Sequence, residues 1–203
     1  MDALLVTVGL VALASVIVFL ISRPGGKSRG EMNELLSGSS RRGRDAPDHS
    51  VFLSYRRADT ADIVGRLYDH LASTHGSNAV FKDVDSIIVG GDFRAQLEQS
   101  LNRCRVFICV MGDQWAGPAG SKSRSIDDPK DFVRIEVETA LRRGIPIIPA
   151  FVRGFNMPPK EFFPESLTKL ADRQGLALRP DPDFRNDVAR LTSSVARHLE
   201  GDQ

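Results

Sequence analysis

Arg105-Val-Phe-Ile-Cys-Val-Met111 decides the fold. After Arg105 the run is apolar without a break, and it ends at Gly112. A strand with one wet face alternates apolar and polar residues. A run without alternation belongs to a strand covered on both faces, the condition of a parallel sheet between two helix layers. Working outward, Val51-Phe-Leu-Ser54, Ala79-Val-Phe81, 145–152 and 176–178 read as further strands. Pro146 and Pro149 are awkward inside a central strand. Helices separate the strands. Asp59 or Thr60 caps one whose Val64, Leu67, Tyr68 and Leu71 recur at helical spacing, and Asp92 caps another with Phe93, Leu97 and Leu101 on one face. Residues 131–141 form a third, and the last carries Phe184, Val188, Leu191, Val195 and Leu199. Strand–helix alternation with short connections predicts an α/β domain, a parallel sheet with helices on both faces. Ligands of such sheets bind beyond the carboxyl ends of the strands, here the loops after Ser54, Phe81, Met111 and Val152.

The chain has 203 residues, room for this domain and something more. Residues 3–21, ALLVTVGLVALASVIVFLI, carry no charge. As a helix they span ~29 Å, the hydrocarbon thickness of a bilayer. A cleaved signal peptide wants a basic start and a small-residue cleavage site; here Asp2 precedes the run and Ile21-Ser-Arg-Pro24 ends it. A transmembrane helix is therefore expected over 3–22. Residues 23–48, rich in Gly, Ser and Arg, read as a flexible basic linker in which 31–36 can form a turn or two of helix. The globular domain follows over 49–200. Arg23, Lys27, Arg29, Arg41, Arg42 and Arg44 lie after the span. Positive residues stay inside, which places the domain at the cytoplasmic face of the cell's inner (plasma) membrane, in a single-pass protein. A net charge of +1 gives no support to a nucleic-acid partner. Cys104 and Cys109 have neither a partner pair nor a nearby histidine, so they read as reduced packing thiols and no metal site is expected.

Three clusters can carry chemistry. Ser54-Tyr55-Arg56-Arg57 stands at the end of the first strand. Adjacent arginines there can clamp a phosphate or carboxylate, and a tyrosine can stack on a flat ring; the alternative is a solvated loop whose arginines pair with acids. Asp83 and Asp85 precede Ile87, Ile88, Gly90 and Gly91. Acids and a double glycine suit a flap at a site mouth, and its apolar tip suits a contact surface or folds back under the domain. Trp115, Phe132 and Glu136 form the third. Phe132 and Glu136 are four apart and share a helix face, an aromatic above a carboxylate; on spacing alone, a glutamate on an amphipathic helix is more commonly solvated. No P-loop, dinucleotide glycine motif or nucleophile elbow is present, and the histidines have no metal spacing.

In order along the chain, Ser50-Val-Phe-Leu-Ser-Tyr-Arg-Arg57, Phe81-Lys-Asp-Val-Asp85 through Gly90, Arg105–Met111 with Gly112 and Trp115, and the D-F-V-x-x-E-x-x-x-A-L run of 131–141 resemble the successive motifs of bacterial TIR (Toll/interleukin-1 receptor) domains. The resemblance implies a flavodoxin-like fold with five parallel strands. It implies NAD+ as substrate, no cofactor, and hydrolysis of its N-glycosyl bond, with Glu136 as the catalytic acid. Tyr55, Arg56 and Asp83 match pocket-lining positions, and Phe132 stands where an aromatic precedes the glutamate by one turn. Residues 83–92 correspond to the loop through which TIR domains self-associate, and Ile88-Val89 depart from the usual tip of that loop. Activation by self-association, a role in bacterial defence or signalling, and the alternative of a non-catalytic adaptor at the membrane all follow from the same resemblance.

Overall fold

The computed structural model describes residues 50–82, 93–118, 120–121 and 123–201, with residues 93 and 94 through their backbone alone. Among these residues no helix is long and apolar enough to cross a membrane. The span expected over 3–22, the linker over 23–48 and the loop 83–92 lie outside them. The chain divides between Asp45 and Ala46, and the globular domain lies in the unit Ala46–Gln203.

Five strands, β1 (Val51–Tyr55), β2 (Val80–Lys82), β3 (Val106–Met111), β4 (Ile147–Val152) and β5 (Leu176–Leu178), form one sheet in the order β2-β1-β3-β4-β5. Every pairing is parallel. β3 lies at the centre and all of its residues are buried, as its unbroken apolar run requires. Pro149 is accommodated inside β4 because successive N–H groups of a parallel strand point to alternate neighbours. Pro146 O accepts from Phe107 N, so the missing N–H of residue 149 faces the β5 side, where pairing begins only at Ala150.

Among the described residues four helices cover the sheet: α1 (Arg57–His75), α2 (Phe93–Asn102), α3 (Phe132–Arg143) and α4 (Phe184–Glu200). Strand alternation sends Val51, Leu53, Val106, Ile108 and Val110 to one face, where α1 (Val64, Leu67, Leu71) and α4 (Val188, Leu191, Val195) pack. Phe52, Phe107, Cys109 and Met111 go to the other face, against Leu97 and Leu101 of α2 and Val133, Val137 and Ala140 of α3. The backbone of α1 is non-helical at Thr60, so a single turn at 57–59 precedes the continuous helix. That helix starts where Asp59 or Thr60 was expected to begin it.

α3 has defined ends. The Asp131 carboxylate accepts from Arg134 N at 3.0 Å, capping the first turn. At the other end Gly144 takes the left-handed conformation (φ 69°), which lets Ile145 N close on Ala140 O. The helix that carries Glu136 is thus set in register at both termini.

Candidate functional site

The carboxyl ends of β1 and β3 and the first two turns of α3 meet at Glu136. Ser54 follows Phe52 on the α3 side of β1 and pairs in register with Cys109 of β3. Its Oγ donates to Glu136 Oε2 at 2.6 Å, across 82 residues of sequence. Both side chains are buried, Glu136 at 3 % and Ser54 at 1 % exposure. Glu136 is therefore not the solvated helix glutamate that its spacing alone favoured. An O–H···O⁻ bond of this length is in the charge-assisted range. The Cys109 thiol is pushed far above its usual range, first by burial and then by the Glu136 charge beside it.

Arg56 has a different role from a free anion clamp. Its Nε donates to Trp115 O at 2.9 Å, and its Nη1 and Nη2 donate to the two Asp131 carboxylate oxygens at 3.0 and 3.1 Å. The fork is well shielded, with 17 % of Arg56 and 10 % of Asp131 exposed. One guanidinium thus ties the end of β1, the turn after β3 and the N-cap of α3 together, the three segments around Glu136. In this conformation each of its three nitrogens meets a protein acceptor. The alternative read from sequence, an arginine pairing with a nearby acid, holds at this position.

Two further candidates pack against the core. The Trp115 side chain is 0 % exposed and packs edge-on to Phe163, with ring centroids 6.0 Å apart. It is a core residue rather than a wall for ligand. Tyr55, one position after Ser54, turns to the opposite face and packs on the α1/α4 cluster, because strand side chains alternate. Arg57 is exposed at the start of α1. Phe132, by contrast, is 55 % exposed at the first position of α3 and is the one large hydrophobic left so among the described residues. Asp83, Asp85, Ile87, Ile88, Gly90 and Gly91 lie outside the described residues.

Further along the sheet edge, the Asp59 carboxylate sits where a Cβ on Gly112 would fall, 2.6 Å from its Oδ2. Burial raises the Asp59 carboxyl pKa, against the lowering effect of the Gln114 and Gly112 N–H groups. Arg153, in the left-handed region (φ 52°), donates to Asp59 O and to both Asp62 oxygens at 2.9 Å, joining the end of β4 to α1. Among the described residues no group of three or more His, Cys, Asp or Glu could hold a metal ion. A groove of about 400 Å³ runs along the outer side of α3, lined by Glu138, Leu141, Arg142, Glu165, Ser166, Thr168 and Lys169, and Glu136 does not line it.

Sequence reading placed Ser54 in its first cluster without giving it a role, and it overlooked Asp131 and Cys109 as parts of this site. For Ser54 a signal was available. It is the one buried polar residue of β1, and a buried hydroxyl demands a partner. Nothing local marked Asp131 as the partner of Arg56, 75 residues away.

This geometry defines an open, all-parallel α/β domain with an acid buried at the carboxyl edge of its sheet. The chain belongs to the TIR domain family, whose model matches residues 51–192. It is similar to a Drosophila melanogaster protein named NAD(+) hydrolase sarm1, 30 % identical over 126 residues, 62 % of this chain and 9 % of that protein. The chain thus spans less than a tenth of that relative's length. The fold is like that of the TIR domains in the activated Roq1 resistosome that directly recognizes the pathogen effector XopQ. The TM-score is 0.50 at 16 % identity, covering 73 % of this chain and 98 % of that one.

Proposed function

We propose that this protein is an NAD+ glycohydrolase whose catalytic group is Glu136. The observation that carries the reading is a carboxylate buried at the carboxyl edge of the sheet and held by Ser54. The similarity to a protein named for NAD(+) hydrolysis adds to it. Most glycosidases need two carboxylates, one to protonate the leaving oxygen. The pyridinium of NAD+ leaves as neutral nicotinamide and needs no proton. One anion then suffices, stabilising the positive charge that develops on the ribose as the C–N bond breaks. Water adds to the anomeric carbon and loses a proton, giving ADP-ribose; attack by the adenine instead gives a cyclic product. Phe132, exposed one turn before Glu136, is the group to stack on the nicotinamide. Arg57, exposed at the start of α1, is the candidate for the pyrophosphate.

In this reading residues 3–22 anchor the chain in a bacterial inner membrane with the domain in the cytoplasm. Tethering raises the local concentration, so that self-association through residues 83–92 switches on turnover in defence or signalling. The test is to cluster the full-length protein in detergent micelles on beads, add NAD+ and follow nicotinamide. Release that Glu136→Ala abolishes is expected; release undiminished in that variant removes Glu136 from the mechanism. Retention in the membrane pellet after alkaline extraction checks the anchor.

A second reading, a non-catalytic TIR adaptor at the membrane, is favoured by one observation: the guanidinium of Arg56 is taken up by Asp131 and Trp115 O. It expects no nicotinamide release under any clustering condition.

A further inference from the structure

We propose that Ser54 is a positioning residue for Glu136, holding its carboxylate in one orientation and in its charged form. This rests on the glycohydrolase reading and names a control of that same site.

The serine's place in the sheet comes first. β1 lies between β2 and β3, so its backbone is fixed on both sides. Val51, Phe52 and Leu53 before it are apolar and buried, and a hydroxyl at the next buried position is costly unless it is satisfied. A serine has one proton to donate, and here the proton goes to Glu136 Oε2 at 2.6 Å. A glutamate side chain has three rotatable bonds. A donor mounted on a central strand restricts them in a way that the surface of a helix does not.

The second effect is on charge. Burial disfavours the anion, and a hydrogen bond donated to the anion favours it. The chemistry proposed for Glu136 needs the anion at the developing positive charge. The groups around Glu136 are arranged consistently with this. Cys109 of β3, on the same side as Ser54, holds its proton, because burial and the Glu136 charge push its thiol up. The Arg56–Asp131 pair lies at the start of α3. Arg134 pairs with Glu138, and Glu98 of α2 pairs with Arg142 and Arg143. Ser54 donates to the Glu136 carboxylate across the sheet–helix junction.

The experiment uses the full-length protein in detergent and the Ser54→Ala and Ser54→Thr variants. Ser54→Ala is expected to lower kcat on the order of tenfold, the worth of a hydrogen bond to a charged group, with KM changed less than kcat. Without the donor the carboxyl holds its proton to higher pH, so the acid limb of the kcat/KM profile moves up by about one unit. Ser54→Thr, which keeps the hydroxyl, restores the limb. A fall in activity with an unmoved acid limb means that the serine only packs, and overturns the proposal. So does a kcat equal to that of the parent.

A readout independent of turnover separates this from the functional reading. In protein carrying ¹³C at the glutamate carboxyl, the Glu136 resonance is assigned by its loss in Glu136→Gln and titrated. Ser54→Ala is expected to raise its midpoint by about one unit. If the parent releases no nicotinamide, the glycohydrolase reading fails, and the titration alone decides whether Ser54 governs this charge; an unmoved midpoint overturns the proposal in either case.

Discussion

Two acids are buried in helices on opposite faces of the sheet, and they are held in different ways. Asp187 of α4 is 1 % exposed. It accepts from the backbone N–H of Arg179 at 3.0 Å and from the Arg179 guanidinium at 2.8 Å on each oxygen. That guanidinium, hydrogen-bonded to it, holds its carboxyl down at about 2. Glu136 of α3 is as well buried, but it meets a neutral serine hydroxyl where Asp187 meets a cation. The cation nearest in the motif, Arg56, is drawn aside by Asp131. A buried charge cancelled in place is a structural fastener. Glu136 accepts from a neutral donor on β1, and under the proposed function its anion acts on the positive charge of an oxocarbenium-like sugar.

The strongest test of that contrast is Glu136→Gln, which keeps the shape and removes the charge. Nicotinamide release is expected to fall ~10²–10³-fold, the scale on which a fixed electrostatic group acts on a transition state, while the melting temperature stays close to that of the parent. A large drop in melting temperature would make Glu136 a fastener like Asp187.

Asp187→Asn should do the reverse, leaving turnover per folded molecule intact and lowering stability. The cost comes from hydrogen bonds to a charged group and is tempered because Arg179 is half exposed. Its pH dependence has a definite sign. The folded carboxyl pKa lies below its ordinary value near 3.8, so its stabilisation is complete above ~4 and is lost as pH falls towards 2. Denaturant melts of parent and Asp187→Asn should converge over that window; a constant gap would remove the ion pair from the account.

A smaller effect separates strut from clamp at Arg56. Arg56→Lys and Asp131→Asn should each lower kcat severalfold through looser placement of α3. The double variant should be no worse than either one, because the two side chains act as a unit. A rise in KM for NAD+ confined to Arg56→Lys would return Arg56 to ligand binding. The smallest effect on stability belongs to Phe132→Ala, within about 0.5 kcal/mol because the ring is exposed. The same variant should nonetheless weaken NAD+ turnover if the ring meets the nicotinamide.

Much of the fold is legible in the sequence. The apolar runs of β3 and β1 and the helical spacing of Val64, Leu67 and Leu71 are local patterns, and each element forms where its pattern lies. Glu136 and Phe132 are found through the motif of their helix. Ser54, Asp131 and the fate of Arg56 are not, because their partners stand 82 and 75 residues away in sequence. Trp115 illustrates the same limit: a loop tryptophan beside a strand end reads alike whether it lines a cleft or fills the core, and here Phe163, from another segment, covers it.

By itself, then, the order of apolar runs and helix caps determined a parallel α/β domain with one helix that carries Phe132 and Glu136 on a shared face. Periodicity is a property of neighbours along the chain, and it survives without knowledge of the fold. What the tertiary structure alone decided is which polar groups face each other: that the Arg56 guanidinium goes to Asp131, and that the Glu136 carboxylate accepts from Ser54. Such pairings follow from the register of strands and the placement of α3 on the sheet, where a shift of one residue would turn Ser54 away and bring Tyr55 in its place.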